Sequence, residues 1–174
     1  KYLLDIMGIK YIQAECEADA ICSKLCEKGI VDMVLSDDMD LLVSGTSILL
    51  RDFYIKTNRI SVYVVHEILS ALSITYDQWI DFCILCGCDY CSNIPKIGPV
   101  KSLQIIQKYN NIDNFIKQTK PIIPENYIDN YKESIKIFNS YNGMFNNIDI
   151  PITKSTLDIS KLKNLGWKPH FTSR

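Results

Sequence analysis

The chain has 174 residues, 47 % of them hydrophobic, with a formal net charge of −1, enough apolar material for one sizeable core or one core with a smaller helical appendage. No apolar run approaches the roughly 20 residues that span a bilayer, and the N-terminus lacks the basic-then-apolar layout of a secretory signal, so the reading is a soluble globular protein without a membrane partner. The net charge hides an asymmetry: residues 1–91 carry 14 Asp/Glu against 7 Lys/Arg, whereas residues 92–174 carry 6 against 12. An acidic half joined to a basic one fits either two ordinary surfaces of opposite sign or a cation site beside a polyanion-binding surface.

Lys1 to Met7 reads as an amphipathic helix ending at Gly8, with no initiator Met before it, and the last residues are Ser173-Arg174. The sequence therefore reads as a segment of a longer polypeptide. Ile9 to Ala14 is β-prone, Ala18 to Glu27 has helical spacing and stops at Lys28-Gly29, and β-prone runs follow at Met33 to Leu35, Ser47 to Arg51 and Ile60 to Val65. This alternation predicts an α/β layered sheet, mostly parallel. From Thr75 the pattern is helical. Thr75 and Gln78 form a capping box ahead of Trp79 to Cys86, and helices are expected at Pro99 to Tyr109, Ile112 to Gln118 and Tyr127 to Asn139, with a proline-marked break at Lys120 to Pro124. The expected organisation is an α/β half over 1–74, a helical region over 75–140 and a poorly patterned C-terminal extension over 141–174.

In open α/β sheets ligands collect at the carboxyl ends of strands. Asp38 and Asp40, in "LSDDMDLL", stand at such an end, and Glu17 and Asp19, in "AECEADA", open the next helix after an earlier predicted strand. Residues two apart share a face only at an irregular helix start. Asp89, in "CGCDYC", follows a helix C-terminus, the unfavourable end of the dipole for a carboxylate. Singly, such acids stabilise helix starts or make turns. Together they raise a cost, since two carboxylates ~4 Å apart repel by roughly 4 kcal/mol at an effective dielectric near 20. Divalent cations remove it, and oxygen-only ligands favour Mg²⁺ or Mn²⁺ over zinc. A phosphoacceptor domain built around "SDDMD" is a rival reading.

The other informative stretch is Ile94 to Tyr109, "IPKIGPVKSLQIIQKY". Gly98 leads into a helix whose first backbone N–H groups, near Gly98 and from Val100 to Ser102, are placed for a phosphate, with Lys96, Lys101 and Lys108 nearby. Such an element clamps a backbone and does not read bases.

"AECEADAICSKLCEKGIVDMVLSDDMDLLVSG", followed by "QWIDFCILCGCDYCSNIPKIGPVKSLQIIQKY" and "IPENY", resembles the internal region and helix-two-turn-helix of flap endonucleases, in the xeroderma pigmentosum group G superfamily of 5′-nucleases. The resemblance covers about residues 1–140. It implies a PIN-like α/β nuclease core, acting on branched or nicked double-stranded DNA and 5′ flaps, in which two Mg²⁺ (or Mn²⁺) ions are held by Glu17, Asp19, Asp38, Asp40 and Asp89. Asp37 matches an acidic position that is not a ligand. It further implies K⁺ at the helix-two-turn-helix, through the carbonyls of Ile94 and Ile97 beside the Asn93 side chain; the family more often has Ser at position 93 and commonly Gly at 96. DNA contacts would fall to Lys96, Gly98, Lys101, Ser102 and Lys108. Implied partners are a sliding clamp and the N-terminal part of the same polypeptide, which brings two further metal-binding aspartates and without which the segment is expected to be inactive. The implied location is intracellular, the nucleus in a cellular eukaryote or a viral replication site in a host cell. The alternative function is a non-catalytic DNA-junction binding module.

Seven cysteines, an odd number set largely in predicted helices, suit a reducing compartment better than a disulfide framework. The spacing of Cys83, Cys86, Cys88 and Cys91 is compatible with a zinc or iron–sulfur site, but a run that spans a helix end reads better as small buried hydrophobes. His66 and His170 have no partner at ligand spacing, and Tyr90 reads as a packed aromatic or a base-stacking one.

Overall fold

Alternation of helix and strand signals gives way to helices in the computed structural model, which describes residues 1–14, 17–143 and 156–166. The order is α1 (Tyr2–Met7), α2 (Ala18–Glu27), β1 (Val34–Leu35), a 3₁₀ turn (Met39–Leu42), β2 (Ile48–Tyr54), β3 (Arg59–Val64), α3 (Val65–Leu72), α4 (Tyr76–Cys86), α5 (Pro99–Tyr109), α6 (Ile112–Thr119), α7 (Tyr127–Gly143) and α8 (Ile159–Asn164). The chain divides into two compact units, Lys1–Glu15 with Asn147–Arg174, and Cys16–Asn146. The three-part division expected from the sequence follows chain order. These units follow spatial contact instead, so the boundary expected at 74/75 falls inside the second.

In the first unit α1 closes at Gly8, whose left-handed φ of 70° lets its N–H reach Asp5 O. Asp158 N–H donates to Ile6 O at 2.8 Å and Asp158 caps α8, which buries Leu162. A short helix thus stands in the stretch that reads as poorly patterned. The β-prone run at 9–14 forms no strand, because no described strand pairs with it.

In the second unit the sheet has the order β1-β2-β3. β1 pairs with β2 in parallel, through Val34↔Leu49 and Leu35↔Leu50. The expectation of a mostly parallel sheet is corrected at β3, which pairs antiparallel with β2, from Ile48↔Val64 to Arg51↔Ser61 and, past an irregularity at Asp52 (φ 53°), at Tyr54↔Arg59. The reason is loop length: residues 55–58 suffice for a hairpin, whereas a parallel crossover needs a dozen or more. One sheet face sends Val34, Leu49 and Tyr63 into the core. On the other, the cross-strand row Leu35, Leu50 and Val62 looks outward, Leu35 being 59 % and Val62 55 % exposed.

Helix α4 has the predicted capping box, with Thr75 Oγ1 accepting from Gln78 N–H and the Gln78 side chain accepting from Thr75 N–H. Its Trp79 Nε1–H donates to Leu42 O and its Tyr76 hydroxyl to Val43 O. These bonds fasten α4 to the end of the 3₁₀ turn, whose Leu41 and Leu42 are buried. It is the N-terminal turn of α4 that is thereby held against the strand-end turn. Helix α3, which the periodicity did not reveal, begins where the expected strand ends, at Val65. Among the described residues no helix is long and apolar enough to cross a membrane.

Candidate metal centre and nucleic-acid interface

Glu17 is the N-cap residue of α2, in extended conformation, and Asp19 lies in the first helical turn. Glu17 and Asp19 can therefore converge, as an irregular helix start allows. At the end of β1 the Asp38 side chain caps the 3₁₀ turn, accepting from Asp40 N–H at 2.9 Å, while Asp38 N–H donates to Ser36 Oγ. Asp40 follows on the first turn, and Ser44 Oγ–H donates to its carbonyl. Asp89 is delivered differently. After α4, Gly87 takes φ 98° and ψ 134°, a conformation closed to most side chains, and Cys88 and Cys91 then exchange backbone hydrogen bonds of 2.9 and 3.2 Å. Asp89 and Tyr90 form the apex of that two-residue turn.

All five acids line one cavity of about 330 Å³, together with Ala18, Ala20, Leu41, Ser44, Tyr90 and Phe138. Asp37 points elsewhere, its carboxylate accepting weakly from Asp52 N–H at 3.4 Å. Burial first, then Asp38 and Glu17, push the Asp19 carboxyl above the usual range. Asp40 is raised by burial, then by Asp38, Asp89 and Asp19. The charges are thus mutual neighbours. The donor set, carboxylates with a hydroxyl nearby, suits a hard divalent cation. Among the described residues no three His, Cys, Asp or Glu side chains enclose a single ion. Mg²⁺ does not require that, since it keeps several waters and takes one or two protein carboxylates. Sequence reasoning did not place Phe138 here; no local signal could, since it comes from α7, far along the chain.

The second candidate region is the turn from Asn93 to Gly98 and helix α5. Lys96 sits at the tip with φ 67°. Lys101 Nζ folds back to donate to Lys96 O at 3.1 Å, and Asn93 Nδ2 donates to Ile97 O at 3.4 Å. Ile94 O accepts from Ile97 N–H. The two carbonyls expected to face K⁺ are thus each already hydrogen-bonded once, leaving one lone pair apiece for a cation. Gly98 is the N-cap of α5 with φ −111°, and a Cβ there would meet nothing within 4 Å, so neither conformation nor packing within the chain demands glycine. Ser102 is fully buried, and both its N–H and its hydroxyl donate to Gly98 O, so it braces the helix start from inside. Lys101 and Lys108, two turns apart on α5, line a shallow groove of about 340 Å³, with Lys108 Nζ 5.0 Å from the Tyr109 ring centroid.

The six cysteines within the described residues are free thiols. Burial pushes the Cys83 and Cys86 thiols up, and Cys91 up to about 11, which favours protonated packing groups over metal-ligating thiolates. Cys16 and His170 lie outside the described residues. His66 is exposed on α3.

Residues 8–89 match the XPG I-region family. Flap endonuclease 1 of Branchiostoma floridae is 41 % identical over 144 residues, 79 % of this chain and 37 % of that protein. The solved flap endonuclease-1 from Methanococcus jannaschii superposes with a TM-score of 0.66 at 29 % identity, covering 79 % of this chain and 41 % of that one. The catalytic core of Rad2, solved in complex with DNA substrate, gives a TM-score of 0.72 at 23 % identity over 95 % of this chain and 63 % of that one, a likeness of fold. The class is that of the XPG-superfamily nuclease fold. Within it the chain is similar to the flap endonucleases, and it spans a little over a third of the length of the curated relative from Branchiostoma.

Proposed function

We propose that the chain forms the acidic centre and DNA clamp of a structure-specific 5′-nuclease that hydrolyses DNA phosphodiesters with two divalent ions in replication or repair. The observation that carries this is the meeting of Glu17, Asp19, Asp38, Asp40 and Asp89, from three separate places in the fold, around one cavity. Glu17 and Asp19 would hold one Mg²⁺ or Mn²⁺, and Asp38, Asp40 and Asp89 the other. When bound, the pair activates a water as nucleophile and stabilises the leaving oxygen of the phosphodiester. The residues' own part is to present oxygens at fixed places: Asp38 through its cap bond to Asp40 N–H, and Asp89 through the closed Cys88–Cys91 turn.

Lys96 and Lys101, the Gly98 turn with its open space, and Lys108 along α5 would hold duplex by its phosphates at a set distance from the cavity, which makes specificity one of DNA shape. K⁺ at the Ile94 and Ile97 carbonyls beside Asn93 would extend that phosphate site. Branched or nicked duplex with 5′ flaps is the proposed substrate. A sliding clamp and the remainder of a relative-length polypeptide are the proposed partners, the remainder being needed for full activity. The nucleus, or a viral replication site in a host cell, is the proposed location. A second reading, a junction-binding module that does not cut, draws on the lack of any three side chains enclosing one ion among the described residues.

Titration with Mn²⁺ separates the two. A nuclease centre should raise the melting temperature of the chain at millimolar ion, because the bound cation relieves repulsion present only in the folded state. No shift in the chain, and no Mn²⁺-dependent cleavage by the relative-length polypeptide, would leave the binding module.

A further inference from the structure

We infer that helix α7 is the strut that positions Asp89, with Ser134 and Phe138 as positioning residues for the acidic centre; this rests on the nuclease reading above. The Asp89 turn needs outside support. It follows the C-terminal end of α4, where the helix dipole repels a carboxylate, and it faces a cavity lined by four other acids. Its own hydrogen bonds form an isolated bridge, unsupported by any neighbouring strand among the described residues. Electrostatics alone would swing the apex outward.

Helix α7 meets both halves of this turn. Tyr127, Tyr131, Ser134 and Phe138 recur at intervals of four, three and four, one face of a helix, and all are buried. The Cys88 thiol donates to Ser134 Oγ at 3.8 Å, and Ser134 in turn donates to Asn130 O at 2.7 Å, so the hydroxyl is engaged in both directions. One helical turn on, Phe138 meets Tyr90 edge to face, with centroids 5.9 Å apart and an interplanar angle of 73°. Ser134 grips the base of the turn and Phe138 its apex. Asp89 lies between the two gripped residues. Tyr90 and Phe138 also wall the cavity, which gives the carboxylates an apolar backstop.

The same face continues toward the basic region. Tyr131 lines one hollow with Asp113, on the first turn of α6, and with Asp81, whose carboxylate accepts from Ile112 N–H. From Tyr127 to Phe138 the helix runs roughly 16 Å. One rigid element therefore touches both the start of α6, which follows the DNA-clamping helix, and the turn that delivers a proposed metal ligand.

The test is hydrogen exchange on the 174-residue chain carrying Phe138→Leu or Ser134→Ala, with Tyr90→Phe as the variant that keeps the ring contact. Phe138→Leu should speed exchange at the Cys88 and Cys91 amides roughly tenfold, the size expected for losing an aromatic pair, while β3 amides stay within about twofold. Ser134→Ala should act in the same direction, and Tyr90→Phe should match wild type. Exchange that is unchanged at the turn, or that rises equally in β3, overturns the strut. Mn²⁺ affinity, read from the free-ion resonance, supplies the second arm: it should fall with Phe138→Leu. A loosened turn with unchanged affinity would show that Asp89 is not held for the ion and overturns the positioning role. Wild-type chain and relative-length polypeptide that both take up no Mn²⁺ would overturn the nuclease reading itself, whatever the exchange data show about the turn.

Discussion

The acidic cavity and the basic turn are both built where a helix begins or ends, yet they stand in opposite states without a ligand. The turn is satisfied from within: Lys101 donates to Lys96 O, Asn93 to Ile97 O and Ser102 to Gly98 O. In the cavity, burial first and neighbouring carboxylates second raise Asp19 and Asp40. A surface that sets affinity can be finished before its partner arrives, while a centre that performs chemistry keeps unbalanced charge in reserve for its ion. Changes in the cavity should therefore alter the chemical step, and changes at the turn the strength of attachment.

The largest expected effect is that of Asp40→Asn in a relative-length polypeptide: cleavage of a flap substrate should fall about a hundredfold or more, in keeping with several kcal/mol of transition-state stabilisation by bound metal, while DNA affinity stays within about tenfold. A variant that cuts at the wild-type rate would break the contrast between the two regions. The second concerns the joint behind them. Asp81, buried on α4 and bonded to Ile112 N–H, is pushed up to about 6, first by burial, with Asp113 and Asp77 adding to the rise and the Ile112 bond opposing it. Its folded-state pKa lies above the unfolded one, so the folded chain binds more protons between about pH 4 and 6, and stability is lost as pH rises through that window. Asp81→Asn keeps the acceptor and removes the charge. Melting curves at pH 7 should show it more stable than wild type by on the order of 2 kcal/mol, with the gain vanishing near pH 4.

Smaller is the effect of replacing Lys96 and Lys101 together with Ala. Duplex binding should weaken about equally for every sequence, and the slope of log K against log salt should flatten by roughly 1 to 2. An unchanged slope would make the positive charge of this turn an ordinary solvated surface. The smallest effect refines the same position. Lys96 holds a left-handed conformation, so Lys96→Gly should stabilise the chain by about 1 kcal/mol in denaturant titration, while removing the same positive charge as Lys96→Ala.

Local signals carried much of this. The capping box at Thr75, the helix stop at Lys28-Gly29 and the acids at the ends of predicted elements were legible because each is a short-range pattern with a backbone cause. The rule for strand ends singled out Asp38 and Asp40 alone, since Glu17 opens a helix after a run that forms no strand and Asp89 follows a helix end. Phe138 was not legible as a cavity wall, since nothing near it in sequence says what its ring will meet. The burial of Ser102 was not legible either, since a serine three residues into a lysine-bearing helix looks available and only packing reveals that its side faces inward. The direction of β3 was hidden by attention to alternation alone, though residues 55–58 are too few for anything but a hairpin.

The outward row Leu35, Leu50 and Val62 carries a consequence for how the chain behaves as a colloid. A sheet that meets water on one face ordinarily dresses that face with polar residues, and this mixed sheet carries an apolar row there instead. Such a flank lowers the energy of two molecules that touch along it, while the formal net charge of −1 provides almost no long-range repulsion to keep them apart. Concentration, more than temperature, should then decide how long a solution of the bare chain stays clear, with salt doing little to hasten clouding because there is so little repulsion to screen.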